Sequence, residues 1–199
     1  MTAETIARPV GKERIPYQGK IFEIVEQTMQ IGDKERVFEF ARRSPGVRLI
    51  IISPDRKILL TKEYRSEHRN WDFRLPGGKV FDSLGEYATS LENKDDILLQ
   101  ATAAAKKEAL EETGLEVLDI EHFHTDACGA TVIWDLFYFV VKKFTPHAKG
   151  QTLELGENIE LKWASLDEAS QIALGGQMQE TRSAAILLRF LASLNGNKL

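Results

Sequence analysis

The chain of 199 residues contains one cysteine, Cys128. An intrachain disulfide framework, a multi-cysteine zinc site and a CxxC redox pair are therefore all excluded. Such cysteine usage suits a reducing compartment. Long apolar runs are also missing. Runs such as 49–52 and 134–141, with Asp135 inside the second, are strand-sized and too short for a bilayer span. The opening MTAETIARPVGKERIP has no apolar core of signal-peptide type. A cytoplasmic protein with no membrane partner is expected. Positive charge is not in excess: Lys plus Arg is 26 against 30 for Asp plus Glu, a net charge of −4. That balance argues against a broad face for nucleic acid. His122, His124 and His147 show no ligand-like spacing with another acid. What is present is ordinary for a folded protein, 43% apolar and 28% charged, and long enough for a real core.

Residues 1–15 are polar, hold Pro9 and Gly11, and read as a flexible arm. Residues 16–45 read as a small antiparallel β subdomain, with strands at 21–25 and 37–40 and a turn near Gly32-Asp33. The main domain is expected over 46–199. Its first strands, GVRLIIIS and KILLT, flank the turn Pro54-Asp55-Arg56. Residues 71–79 read as a short strand running into a glycine loop. Residues 82–100 are less regular and read as an insertion. Asp95-Asp96 can cap a helix that starts near Ile97 and runs through Ala, Leu, Lys and Glu to Glu112, with Gly114 at its end. Strands are expected at 116–124, 132–142 and 159–163, with Phe137-Tyr138-Phe139 in the sheet core. Ser165 and Glu168 form a capping box for a helix that Gly175-Gly176 ends. An amphipathic helix at 180–194 places Ala184, Leu187, Leu188 and Leu191 on one face. The element order is α+β, or an α/β/α sandwich.

The chemistry is concentrated in Lys107-Glu108-Ala109-Leu110-Glu111-Glu112-Thr113-Gly114-Leu115. On a helix, Glu108, Glu111 and Glu112 are three and four residues apart and can crowd one edge. Like charges at that spacing repel by a few tenths of a kcal/mol, on the order of 0.3 per pair. They also lie at the helix C-terminus, where the macrodipole disfavours anions. A divalent cation would remove both penalties, and oxygen ligands suit Mg²⁺ or Mn²⁺ rather than structural zinc. Upstream, Leu75-Pro76-Gly77-Gly78 supplies a loop whose backbone can face an ion or a phosphate.

Loop and helix together resemble the Nudix box of the Nudix hydrolases, G-x5-E-x7-R-E-U-x-E-E-x-G-U with U apolar. Gly78 matches the first glycine; Glu108, Glu111, Glu112, Gly114 and Leu115 match the second half. About fifteen extra residues separate the two halves, Lys107 stands at the arginine, and Glu86 or Glu92 is the candidate for the first-half glutamate. The resemblance implies an α/β/α sandwich with a mixed sheet, preceded here by the β subdomain. It implies a metal site of Glu108, Glu111, Glu112 and the carbonyl of Gly77.

Other segments resemble the ADP-ribose pyrophosphatase branch of that family, which acts on nucleoside diphosphate sugars. Lys62-Glu63-Tyr64-Arg65 resembles its Gln-Tyr-Arg motif, and 71–78 its strand into the glycine loop. Glu154-Leu155-Gly156-Glu157-Asn158-Ile159-Glu160-Leu161 resembles its acidic loop and strand. Arg74 and the loop Ala127-Cys128-Gly129-Ala130 depart from the branch. The resemblance implies Glu157 or Glu154 as the base that activates water, with Glu111 close by. It implies Arg65, Arg74, Tyr64 and Trp71 as substrate-binding residues, and a homodimer. The expected activity is Mg²⁺-dependent hydrolysis of a nucleoside diphosphate sugar, ADP-ribose-like, to a nucleoside monophosphate and a sugar phosphate. The alternatives are a catalytically weak nucleotide-sugar sensor and a nucleoside triphosphate pyrophosphohydrolase.

Overall fold

A computed structural model describes residues 6–66, 69–154, 156–194 and 196. Its strands and helices run, in order, β1 (Arg8–Pro9), β2 (Arg14–Gln18), β3 (Phe22–Ile31), β4 (Lys34–Arg43), β5 (Gly46–Ile52), β6 (Lys57–Arg65) and β7 (Asn70–Arg74). Two helices follow, α1 (Leu84–Asn93) and α2 (Ile97–Thr113). Then come β8 (Leu115–Asp126), β9 (Val132–Ile133), β10 (Leu136–Pro146), β11 (Ile159–Ser165), α3 (Leu166–Leu174) and α4 (Thr181–Leu194). They form two compact units. The first takes its described residues from 1–45, 81–95 and 127–135; the second from 46–80, 96–126 and 136–199.

The first unit is built on the hairpin of β3 and β4, paired from Phe22↔Arg43 to Ile31↔Lys34 around the expected turn. Both β1 and β2 pair antiparallel with β3, and β9 pairs parallel with β4. The flexible arm expected over 1–15 is thus corrected from Arg8 onward, while residues 1–5 lie outside the described set. The physical reason is the edge of β3, whose backbone groups need partners. Val10 N donates to Thr28 O at 2.9 Å, and Gln27 Nε2 donates to Val10 O at 2.8 Å.

Residues 82–100 hold the second correction, because most of that stretch is helical. Ser83 Oγ accepts from Glu86 N at 3.2 Å, and the Glu86 carboxylate accepts from Asp82 N at 3.1 Å, so the start of α1 is closed reciprocally. Lys94, left-handed at φ 58°, closes its end. Glu86, the preferred first-half box glutamate, is therefore engaged in a helix cap. A third difference concerns 132–142. That single expected strand breaks at Trp134-Asp135 into β9 and β10, which belong to different sheets.

The second unit is an α/β/α sandwich. Its six-stranded sheet runs β11-β6-β5-β10-β8, with β7 also on β6. It is mixed, since β5 and β10 are parallel and the other pairs antiparallel. Strand alternation divides its faces. Val47, Leu49, Ile51, Leu59, Phe137, Phe139 and Val141 face α2 and meet its buried Ala101, Ala105 and Ala109. Alanines at four-residue spacing let the helix lie close to the sheet, and this seats the acidic end of α2 near the strand termini. Asp96 caps its start through Leu98 N and Leu99 N, and Gly114, at φ 66°, closes its end. The opposite face packs on α3 and α4; there Tyr138 is buried with its hydroxyl 3.3 Å from Ser183 Oγ, and Phe123 meets Phe190 edge-on. No helix among the described residues is long and apolar enough to cross a membrane.

Candidate active site

The glycine loop is tied to the sheet by its own backbone. Leu49 N donates to Pro76 O at 2.8 Å and Val47 N to Gly78 O at 3.0 Å. Gly77 sits at φ 143°, and a Cβ there would lie 2.2 Å from the Val47 carbonyl oxygen, so only glycine fits. A Cβ on Gly78 would lie 2.1 Å from Glu108 Oε1. The absent side chain at Gly78 is therefore the space the Glu108 carboxylate occupies. Gly77 N donates to Glu112 Oε2 at 2.7 Å. Loop and helix, 35 residues apart in sequence, are joined by two carboxylates.

Glu111 is placed differently. Helical rotation of about 100° per residue leaves positions 108 and 112 about 40° apart but swings 111 away from 112. Its side chain is partly exposed and pairs with Lys107 at 3.7 Å. The three acids thus do not crowd one edge as expected: two turn to the loop and one to the rim.

Burial dominates the electrostatics. Glu112 is pushed up to about 8, first by burial and then by the charges of Glu108 and Glu63, against the Gly77 hydrogen bond and Arg48. Glu108 is pushed up to about 7, first by burial and then by Glu111 and Glu157, against Lys107 and the backbone of Lys79. Of the two acidic-loop candidates, the charge of Glu157 therefore reaches Glu108. Glu157 is exposed, and its Oε2 accepts from Glu154 N at 2.8 Å in the turn that Glu157 N closes on Glu154 O. Leu155 of the same motif lies outside the described residues.

The expected substrate-binding residues split between the faces of β6. Leu59, Thr61, Glu63 and Arg65 alternate onto the α2 side, and Arg65 Nη1 lies 3.4 Å from Glu63 Oε2. Arg74 Nε donates to the fully buried Asp72 at 2.8 Å, and Asp72 also accepts from Gln179 N. Tyr64 and Trp71 fall on the other side of β6, edge to face at 5.7 Å, with Lys62 Nζ 4.4 Å from the indole centroid. The structure does not bring this exposed aromatic pair to the carboxylates.

Two residues of the site were not singled out by sequence. Glu63 adds its charge at Glu112, and its signal is the two-residue alternation with Leu59 and Thr61. Arg48 is buried at the start of β5, donates to Val47 O at 2.9 Å, and lies 4.0 Å from Glu180. Its signal is a lone charge inside the apolar run GVRLIIIS.

The donors suit a hard divalent cation. They are oxygens only, and the buried Glu112 and half-buried Glu108 carry mutual repulsion that such an ion relieves. Among the described residues, no three His, Cys, Asp or Glu side chains form a closed metal-binding group. Backbone oxygen and water would complete the ligands of Glu108 and Glu112.

The NUDIX domain family model matches residues 42–185, and the chain belongs to the Nudix family. A curated relative, the CMP-5'-(N-acetyl-N-hydroxy-3-aminopropyl)phosphonate hydrolase of Streptomyces rubellomurinus, is 25% identical over 180 residues, covering 90% of this chain and 80% of that protein. The crystal structure of an ADP compounds hydrolase superposes with a TM-score of 0.70 at 14% identity, over 100% of both chains. That likeness shows the fold.

Substitutions in the loop separate its two glycines. Gly77→Ala meets backbone and is expected to lower stability by about 1–3 kcal/mol in urea unfolding. Gly78→Ala meets only a flexible carboxylate, so it is expected to fold near-normally and to lose activity by displacing Glu108. Equal stability loss in both variants would contradict this division.

Stability also carries a pH signature. The folded Glu112 carboxyl, at about 8, lies above its ordinary 4.5. Its contribution is fully present below pH 4.5 and is lost as pH rises through about 8. In chelator, the melting temperature is expected to fall across that window, and Glu112→Gln to flatten the fall. An unchanged slope in the variant contradicts the assignment.

Proposed function

We propose that this Nudix protein hydrolyses the pyrophosphate bond of a nucleoside diphosphate derivative, of the nucleoside diphosphate sugar type and ADP-ribose-like, to a nucleoside monophosphate and a sugar phosphate. The observation that carries the reading is the convergence of Glu108 and Glu112 on Gly77-Gly78, with the charge of Glu157 reaching Glu108. The ADP compounds hydrolase of like fold supports a nucleoside diphosphate substrate. The CMP-phosphonate hydrolase, in which a nucleotide is joined to a second phosphorus group, supports the same type of bond.

Glu108 and Glu112, with the Gly77 carbonyl, would hold Mg²⁺ or Mn²⁺, which when bound would supply charge neutralisation and Lewis acidity to the diphosphate. Glu111, kept at the rim by Lys107, adds negative charge beside Glu108. Glu157, exposed at the loop, accepts the proton of the attacking water, directly or through one further water. The water oxygen bonds to one phosphorus, the bridging P–O bond breaks, and the leaving phosphate departs with the bridging oxygen. Arg65, on the same side of β6 as Glu63, meets the diphosphate with its planar donors. A homodimer belongs to the same reading. The first unit leaves Tyr17, Phe22 and Val37 exposed on one face of its hairpin, apolar side chains suited to a second copy and checked by the mass in solution.

The test is a substrate panel with Mg²⁺: ADP-ribose, ADP-glucose, GDP-mannose, a CMP-linked phosphonate and a nucleoside triphosphate, with products identified. Turnover of a diphosphate-linked compound to a nucleoside monophosphate is expected. Glu112→Gln is expected to lower it on the order of a hundredfold while the fold persists. Tight binding without product, or near-normal turnover in that variant, overturns the reading.

A further inference from the structure

The α2 face of β6 carries a graded row. Leu59 lies in the core under α2, Thr61 is fully buried, Glu63 is half-buried, and Arg65 ends the strand. Each group grips the next. Thr61 Oγ1 donates to Glu63 Oε1 at 3.0 Å, and Glu63 Oε2 lies 3.4 Å from Arg65 Nη1. The two carboxylate oxygens therefore have separate partners, one rooted in the core and one reaching outward. A buried hydroxyl holds one Glu63 oxygen, and the other oxygen faces the guanidinium.

This row stands beside the acidic end of α2. Glu63 pairs across strands with Ile159 of β11. Gln151 Nε2 donates both to Ile159 O at 3.4 Å and to Glu112 O at 2.7 Å, tying the strand opposite Glu63 to the helix that carries Glu112. The negative charge of Glu63 is also felt at Glu112. On the neighbouring strand, Asp72 stands opposite Glu63 and holds Arg74 in the same i, i+2 manner, but Asp72 is fully buried and fastened to Gln179 N. That second pair rests on a buried carboxylate, whereas Arg65 on β6 is half-buried.

We propose that Glu63 is a positioning residue: through the relay Thr61–Glu63–Arg65 it holds the Arg65 guanidinium on the side of the sheet that carries Glu112, oriented to receive the diphosphate of the substrate. The proposal rests on the reading of this site as one for nucleoside diphosphate derivatives. A guanidinium aimed in advance loses less side-chain freedom when it meets phosphate, so the effect belongs to binding rather than to the chemical step.

The test uses the full chain with Mg²⁺ and two readouts: the Kd for α,β-methylene-ADP by calorimetry, which needs no turnover, and kcat and KM on the best panel substrate. Glu63→Ala and Arg65→Ala are each expected to weaken binding about tenfold, and the double variant by little more than either alone, because both remove one interaction. KM is expected to rise with Kd while kcat stays within about threefold. Glu63→Gln, which keeps an acceptor oxygen for Arg65, is expected to recover most of the loss, and Thr61→Val to show part of it. Melting temperatures separate these effects from misfolding. The proposal is overturned if Glu63→Ala binds the analogue like wild type, if the two losses add in full, or if the variant changes only the Mg²⁺ concentration required. Wild-type binding of the analogue without hydrolysis of any panel substrate defeats the proposed activity but leaves this inference standing. Wild-type failure to bind the analogue defeats both.

Discussion

The hydrogen bond from Gly77 N to Glu112 is the constraint on which the site depends. It joins a loop anchored on β5 to the last turn of α2, and it does so with a buried carboxylate. Everything about it requires close approach: a glycine at a backbone angle closed to other residues, a neighbouring glycine whose missing side chain admits Glu108, and an alanine-lined helix lying near the sheet. Setting a half-buried carboxylate beside a buried one costs stability unless a cation is shared between them. Burial and their mutual charge push both carboxyls up from their ordinary range. The arrangement makes sense as a site that gives up stability for function.

Charge organises the surroundings of the pair. The charge of Arg48 favours the anionic form of Glu112, while that of Glu63 opposes it. Both arginines expected to meet substrate, Arg65 and Arg74, are held by a carboxylate two residues before them. The second is locked into the fold through the buried Asp72, while the first is half-buried at the end of β6. Tyr64 and Trp71, adjacent in sequence to these residues, are carried by strand alternation to the other side of β6.

Much of the fold was legible because local signals were strong. The Gly32-Asp33 hairpin, the Asp96 and Ser165 caps and the terminal helix all stand where sequence placed them, and Gly114 closes α2. Helix α1 was equally marked, by Ser83 and Glu86 at capping-box spacing, yet its mixed composition hid it within an insertion. The break between β9 and β10 was not legible, because pairing with β4 is a long-range choice that no local pattern encodes. In the site, Glu108 and Glu112 were readable from helical spacing, whereas the outward turn of Glu111 depended on which helix face the sheet covers. Glu63 and Arg48 required strand register, which sequence alone does not supply.

Membership of the Nudix family accounts for the loop–helix unit, and α1, which lies between the two in sequence, belongs to the first unit. The relatives that match act on different nucleotide-linked compounds by their names, so the account turns on the cation rather than on any one substrate. The most direct test is a manganese titration followed by electron paramagnetic resonance on the wild type, Glu108→Gln and Glu112→Gln. The expected result is saturable Mn²⁺ binding in the wild type that weakens in both variants and tightens with a diphosphate analogue. Binding that is absent from the wild type, or unchanged in both variants, would contradict the account.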